Sequence, residues 1–309
     1  MSTDEVPVEQ RAHTDPETKI DESQVVGRAA SLWSDAWREL RRSPVFIIAG
    51  LFLLLYAAMA LFPQLFTSQS PTACSLSSSL LRPSAEHWFG TDLQGCDYYT
   101  RVIYGTRVSF IVGLATVALA VVIAVILGSL AGYYGGVIDS ILARITDIWF
   151  GIPFLLGALV ILNSVFTVRS VWSLVLVLAV FGWPSMMRLM RSEVLSQKEQ
   201  DYVTAAKALG AGDFRIIVKH ILPNSMAPVI VYATITIGLI IAAEATLSFL
   251  GVGLQLPAIS WGLMVSGAQR QIQRAPHLLL FPGLFLSGLV LSFIMLGDAL
   301  RDALDPKLR

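Results

Sequence analysis

Six long apolar runs, near residues 45–62, 108–134, 137–165, 171–190, 224–250 and 278–297, set the rhythm of the chain. A hydrocarbon layer ~30 Å thick is crossed by about 20 helical residues, and runs of this size fit that requirement. Barrel strands would alternate apolar and polar residues with period two, which these runs do not. They are therefore predicted to be helices, which satisfy their own backbone in lipid.

Between the fourth and fifth runs, residues 191–223 are too polar to span. Tyr202, Ala205, Ala206, Leu209 and Phe214 fall at helical spacing there, Gly210 and Gly212 interrupt the pattern, and Pro223 sits where a new helix begins. A helix, a glycine corner and a second helix held against a membrane surface is the predicted element. The competing reading is a solvated loop, which needs neither the small pair on one face nor glycine at the corner.

The amino-terminal third divides by pattern. Residues 1–24 carry Asp4, Glu5, Glu9, Asp15, Glu17, Asp21 and Glu22 with almost no large apolar side chains, so an acidic, disordered head is expected. Over 25–44, Val25, Ala29, Leu32, Trp33, Ala36, Trp37 and Leu40 oppose Arg28, Arg38, Arg41 and Arg42. That is an amphipathic helix, lying along the inner leaflet or packed on a neighbouring subunit. The run at 45–60 ends in Ala58-Met59-Ala60, but a long acidic region precedes it, unlike the short basic start of a cleaved signal. The expected organisation is then a first span with an outward loop, 45–107, followed by a core domain, 108–309, that contains the 191–223 insertion.

Composition agrees with the pattern: of 309 residues 55% are hydrophobic and 14% charged, with mean hydropathy +0.66. This is the composition of an all-α integral membrane protein. Net charge is zero and offers no sign of nucleic-acid binding, so the placement of charge matters more. With six spans both termini share a side with the insertion. That side collects Arg11, Lys19, Arg28, Arg38, Arg41, Arg42, Arg188, Arg191, Lys198, Lys207, Arg215, Lys219, Arg301, Lys307 and Arg309, against Arg82, Arg101, Arg107, Arg169, Arg270 and Arg274 on the other. The richer side reads as cytoplasmic.

Candidate chemistry is sparse. Cys74 and Cys96 both fall in the outward loop, on the oxidising side, where a disulfide or two free thiols are both open. Gly128 and Gly132 form a small-xxx-small pair suited to close helix packing. In the third run Arg144 and Asp147 are three apart and placed to pair, with Asp139 a turn or two before them; a proton relay is the sharper reading and mutual neutralisation the plainer one. Glu244, deep in the fifth run, has no local basic neighbour and is expected to face the bundle interior, a wet path or a structural hydrogen bond. No G-x-x-x-x-G-K-[ST] loop and no H-E-x-x-H motif occurs. An intramembrane aspartyl protease would have to borrow Asp147 and Asp298, and Asp298 more simply belongs to the charged end of the last helix.

Thr204-Ala205-Ala206, Gly210 and Ile221-Leu222-Pro223-Asn224 closely resemble the EAA loop of ATP-binding-cassette importer permeases. Thr204 stands where that motif has a leading Glu, and His220 where it usually has an aliphatic residue. His87-Trp88-Phe89-Gly90-Thr91-Asp92 with Gly95-Cys96-Asp97 and Arg101 looks like the outward loop of the C-type permease of dipeptide and oligopeptide importers, with Cys96 where a basic residue is frequent. Glu244 to Gly253 with Ser260-Trp261-Gly262, Ala275-Pro276 through Phe281-Pro282-Gly283, and Leu296 to Pro306 are similar to the same subfamily, so the match runs from about residue 30 to the end.

The resemblance implies a type I importer permease of six transmembrane helices in a bacterial inner membrane, with both termini cytoplasmic. A cytoplasmic coupling helix, residues 200–212, would lie between spans four and five and dock on an ATPase subunit through Tyr202, Thr204, Ala205, Ala206, Lys207, Gly210 and Phe214. The implied partners are a second homologous permease, two ATPase subunits and an external substrate-binding protein. The chain itself would bind no cofactor and catalyse nothing, with ATP and Mg used by the ATPase subunits. Implied cargoes are dipeptides, longer peptides or nickel chelates. The rival from another class is a proton-coupled secondary transporter using Asp139, Asp147 or Glu244.

Overall fold

The computed structural model describes residues 32–304. The acidic head expected at 1–24 and the first part of the amphipathic segment, 25–31, lie outside the described residues. In chain order the helices are α1 (Leu32–Leu40), α2 (Pro44–Leu61), α3 (Tyr98–Tyr134), α4 (Gly136–Gly151), α5 (Phe154–Val165), α6 (Val171–Lys198), α7 (Asp201–Ala208), α8 (Asp213–Arg215), α9 (Leu222–Phe249), α10 (Trp261–Ala268) and α11 (His277–Leu304). A π-helical turn, Ile216–Ile221, joins α8 to α9. Among the described residues extended pairing is confined to two isolated bridges, Cys74 with Cys96 and Thr91 with Asp97.

Short polar side chains start several of these helices. Ser43 accepts the Phe46 N–H ahead of Pro44, and Asp97 accepts the Thr100 N–H at 2.8 Å. Ser170 and Ser173 cap each other's backbone in a reciprocal box. The Asp97 cap explains one boundary that hydropathy misses: the second span begins at Tyr98 rather than at 108, because hydrogen bonding rather than apolarity decides where the helix starts. At 1.5 Å per residue its 37 residues extend roughly 55 Å, well beyond a ~30 Å layer, so one end stands in the outward loop.

The third apolar run is not one straight helix. α4 and α5 meet at 91° across Ile152 and Pro153, where proline lacks the N–H that would continue the helix and disfavours a helical residue before it. Among the described residues five helices or helical runs are long and apolar enough to cross a membrane, and the bent pair makes a sixth when taken as one span. Only Thr146 of α4 is buried, whereas Ala158 and Leu162 of α5 pack into the main core.

The spans alternate direction, so α1, the ends of α3, α6 and α11, and the 199–221 segment lie together at one end of the bundle. Tyr133 of α3 donates to Asp213 at 2.7 Å, and Ala36 and Leu40 of α1 pack on Ala299 and Ala303 of α11. Ala36 and Leu40 of the apolar face of α1 are thus covered by the chain's own last helix, while Trp37 stays 53% exposed.

The most extensively packed helix pair is α3 with α6. A Cβ on Gly128 would sit 2.7 Å from Met190 Cβ, and one on Gly132 would sit 2.8 Å from Val194 Cβ, so the two backbones touch through the small-xxx-small pair. Replacing Gly132 by Ala or Leu is therefore expected to cost about 1–3 kcal/mol or more through overpacking and to lower the thermal midpoint in detergent. Gly212→Ala, at an open position with ordinary φ, is the control expected to leave that midpoint unchanged.

Candidate functional site

An eight-residue helix is too short to persist alone in water, so α7 exists because of what it packs against. Val203 is fully buried and Ala206 nearly so, in a cluster with Ile216, Ile217 and Ile221 of the π-turn, Val229 of α9, Met190 and Val194 of α6, and Tyr133 of α3. The helix ends on Gly210, whose φ of +82° admits a left-handed turn. There the Ala211 N–H reaches the Ala206 carbonyl and the Gly210 N–H reaches that of Lys207, closing the last turn with Ala211 against Ala206.

The small pair is divided by this packing. Ala206 faces the chain's own core, so its small size serves an internal contact, whereas Ala205 is on the exposed side with Tyr202, Thr204, Lys207 and Gly210. Leu209 at 89% and Phe214 at 79% are large apolar side chains left uncovered at an end of the molecule rich in charge. Tyr202 is pinned by its hydroxyl, which donates to Gln197 Oε1 at 2.7 Å, and partial burial raises its phenol above the usual tyrosine range. Lys207 leans back over the Tyr133 ring, 5.6 Å from its centroid, while Lys198 donates to the Tyr133 carbonyl. The seven residues expected at this site therefore lie on one short segment, with Ala206 turned inward.

The polar residues of the third run are distributed differently from the expectation. Asp147 pairs with Arg188 of α6 rather than with Arg144, and Asp139 pairs with Arg191, its second oxygen accepting from Nη2 at 2.6 Å. Arg188 also donates to Thr146 Oγ1 at 3.2 and 3.1 Å and lies 4.4 Å from the centre of the Phe150 ring. Both acids thus turn toward α6, which supplies arginines one helical turn apart, and Arg144 stays exposed. These two ion pairs and the Trp149 indole, donating to the Val180 carbonyl at 2.7 Å, are what hold the sparsely buried α4. Glu244 is fully buried and accepts from Ser248 at 2.9 Å and from Ser109 of α3 at 3.3 Å.

On the far side Cys74 and Cys96 are joined, closing a loop of sequence separation 22. Asp92 organises it, accepting the N–H groups of Gln94 and Cys96 at 2.9 Å each and pairing with Arg101, while His87 Nδ1 lies 3.0 Å from Asp97 Oδ1. Among the described residues no group of three potential ligands is placed to hold a metal ion.

Residues 124–309 match the family described as "Binding-protein-dependent transport system inner membrane component". The chain belongs to that family. Residues 31–83 further match the "N-terminal TM domain of oligopeptide transport permease C". Over 281 residues the chain is 44% identical to the dipeptide transport system permease protein DppC of Bacillus subtilis, covering 90% of this chain and 87% of the relative. It is 37% identical over 289 residues to the oligopeptide transport system permease protein OppC of the same organism, covering 94% of each. The glutathione transport system permease protein GsiD of Pectobacterium atrosepticum is 38% identical over 278 residues, covering 90% and 92%.

As a C-type permease subunit of an ATP-driven importer, the chain is an inner-membrane protein that works with other transport components and leaves ATP hydrolysis to partner subunits. The proton-coupled alternative finds no support, since the family and the relatives are permeases of binding-protein-dependent transport systems; arginines pair with Asp139 and Asp147, and serines donate to Glu244. The outward loop generates a direct check. Intact-mass analysis after alkylation of the folded, unreduced protein should show no modified thiol, and both should react after reduction and unfolding; two alkylated cysteines before reduction would contradict the bonded loop.

Proposed function

We propose that this chain forms half of the transmembrane path of a peptide importer, paired with a second related permease, seated on two ATPase subunits and supplied by an external binding protein. ATP and Mg are bound by the ATPase subunits, which dock on the exposed face of α7. The division of α7 into an embedded side and an exposed apolar side carries this reading, because a lever needs both a rigid root and a free contact surface. The peptide cargo is supported by relatives named for dipeptide, oligopeptide and glutathione transport.

The α7 end is the cytoplasmic one, and both termini lie there. Lys198, Lys207, Arg215, Lys219 and Arg301 cluster around it, as expected of cytoplasmic connections. Closure of the ATPase dimer displaces α7 as a unit. Its root touches α3, α6 and the base of α9 at once, so one displacement reaches three spans. The π-turn supplies a locally rewound helix between this root and α9, a feature frequent at functional positions. Transport is driven only if the open and closed ATPase states hold α7 with different geometry or affinity.

Leu209→Glu and Ala205→Trp, both on the exposed side, should leave folding intact and uncouple the complex. In proteoliposomes containing the assembled importer, uptake should fall about tenfold or more, the loss of a contact of ~1.4 kcal/mol or more, while ATP hydrolysis continues. Unchanged uptake in either variant would count against docking at this face.

A further inference from the structure

Glu244 is the most deeply buried acid among the described residues, and the coupling lever does not use it. It is fully buried, 22 positions beyond Leu222 and so roughly 33 Å along α9 from the coupling root. Its carboxylate accepts from Ser109 on α3 at 3.3 Å and from Ser248 one turn ahead at 2.9 Å, with the fully buried Ser260, the residue that caps α10, close by.

A serine hydroxyl has one proton to give and two lone pairs to receive with. With the Ser248 proton directed at Glu244, its oxygen accepts the Leu254 N–H at 3.2 Å, in the corner that follows α9. Ser260 in turn accepts the Leu263 N–H at 3.3 Å and starts α10. Glu244 therefore sets the direction of the Ser248 hydroxyl, and through it the backbone of the corner. Packing agrees: a Cβ on Gly262 would lie 2.7 Å from the Ala245 carbonyl oxygen, so α10 begins directly against α9. The fully buried Trp261 fastens the same turn to α3, its indole donating to the Val102 carbonyl at 2.9 Å. Ser260 also lines an outward cavity of about 300 Å³ with Tyr98, Arg101, Leu263 and Met264.

We propose that Glu244 is a positioning residue for transport: it locks α3, α9 and the start of α10 into one rigid outer node, so that displacement of α7 moves the walls of the outward cavity as a body. The inference rests on the permease reading above. Without the acceptor hub, α9 still follows α7, but the corner and α10 lag behind it, and ATP turnover no longer opens or closes the outward end.

The test uses the whole importer in lipid nanodiscs and proteoliposomes, with spin labels at S68C and Q269C, exposed outward positions on the loop and just after α10. The unmodified node should give a narrow label distance that shifts with ATP. Glu244→Ala should give a broad distance independent of ATP and about tenfold less uptake per ATP hydrolysed, from loss of buried hydrogen bonds. Glu244→Gln, which keeps one acceptor oxygen, should retain a narrow distance and most of the uptake. Leu247→Ala, at a fully buried apolar position on the same helix, should lower the thermal midpoint while keeping the distance narrow and uptake per ATP unchanged. A narrow, ATP-responsive distance with unmodified coupling in Glu244→Ala, or an equal loss of coupling in Leu247→Ala, would overturn the proposal. Absence of ATP-dependent uptake in the unmodified complex would overturn the permease reading itself.

Discussion

The approach of α3 to α6 is the contact on which the rest of the inner end depends. Lipid gives apolar helices little reason to prefer one another over acyl chains, so shape and polar contacts must hold them together. Gly128 and Gly132 let the two backbones meet, and that closeness brings Tyr133 beside Met190 and Val194. Those three side chains form one wall of the socket that receives Val203 and Ala206. Without that socket an eight-residue α7 would fray, and a frayed helix transmits no displacement.

The opposite end adds polar chemistry to an aromatic and apolar cluster around Trp261. A disulfide, the Asp92 turn and the Asp97 cap fix the loop on the start of α3, and Glu244, bonded to Ser109 and Ser248, ties the α9 corner to the same helix. Two differently built nodes are therefore joined by α3 and α9. Between them α4 is the exception, moored by Arg188 and Arg191 with little burial of its own.

Apolar runs and charge placement revealed the spans because the bilayer imposes those patterns directly on sequence. Pro153 was equally visible, yet hydropathy runs straight across it, and only the backbone shows that Ile152 and Pro153 turn the chain by 91°. Three-residue spacing made Arg144 and Asp147 a plausible pair, but the winning partner, Arg188, stands 41 residues away from Asp147 on another helix. Likewise the Ala205-Ala206 pair marked the coupling segment without saying which alanine faces inward, since that depends on the rotation of α7 about its axis. Glu244 stood out as a lone acid, whereas Ser109, 135 residues distant, carried no sequence signal of its partnership. The π-turn left no pattern at all that separates it from an ordinary helix.

The central claim is that the outer face of α7 is the contact with an ATPase subunit. Cys74 and Cys96 are the chain's two cysteines and are bonded to each other, so a thiol introduced at A205C is uniquely reactive. Cross-linking of A205C to the ATPase subunits of the assembled importer, with a yield that changes on adding ATP, and no cross-link from the buried V203C, is the predicted result. No cross-link at position 205, or a yield there no higher than from R42C on the exposed turn after α1, would contradict the account.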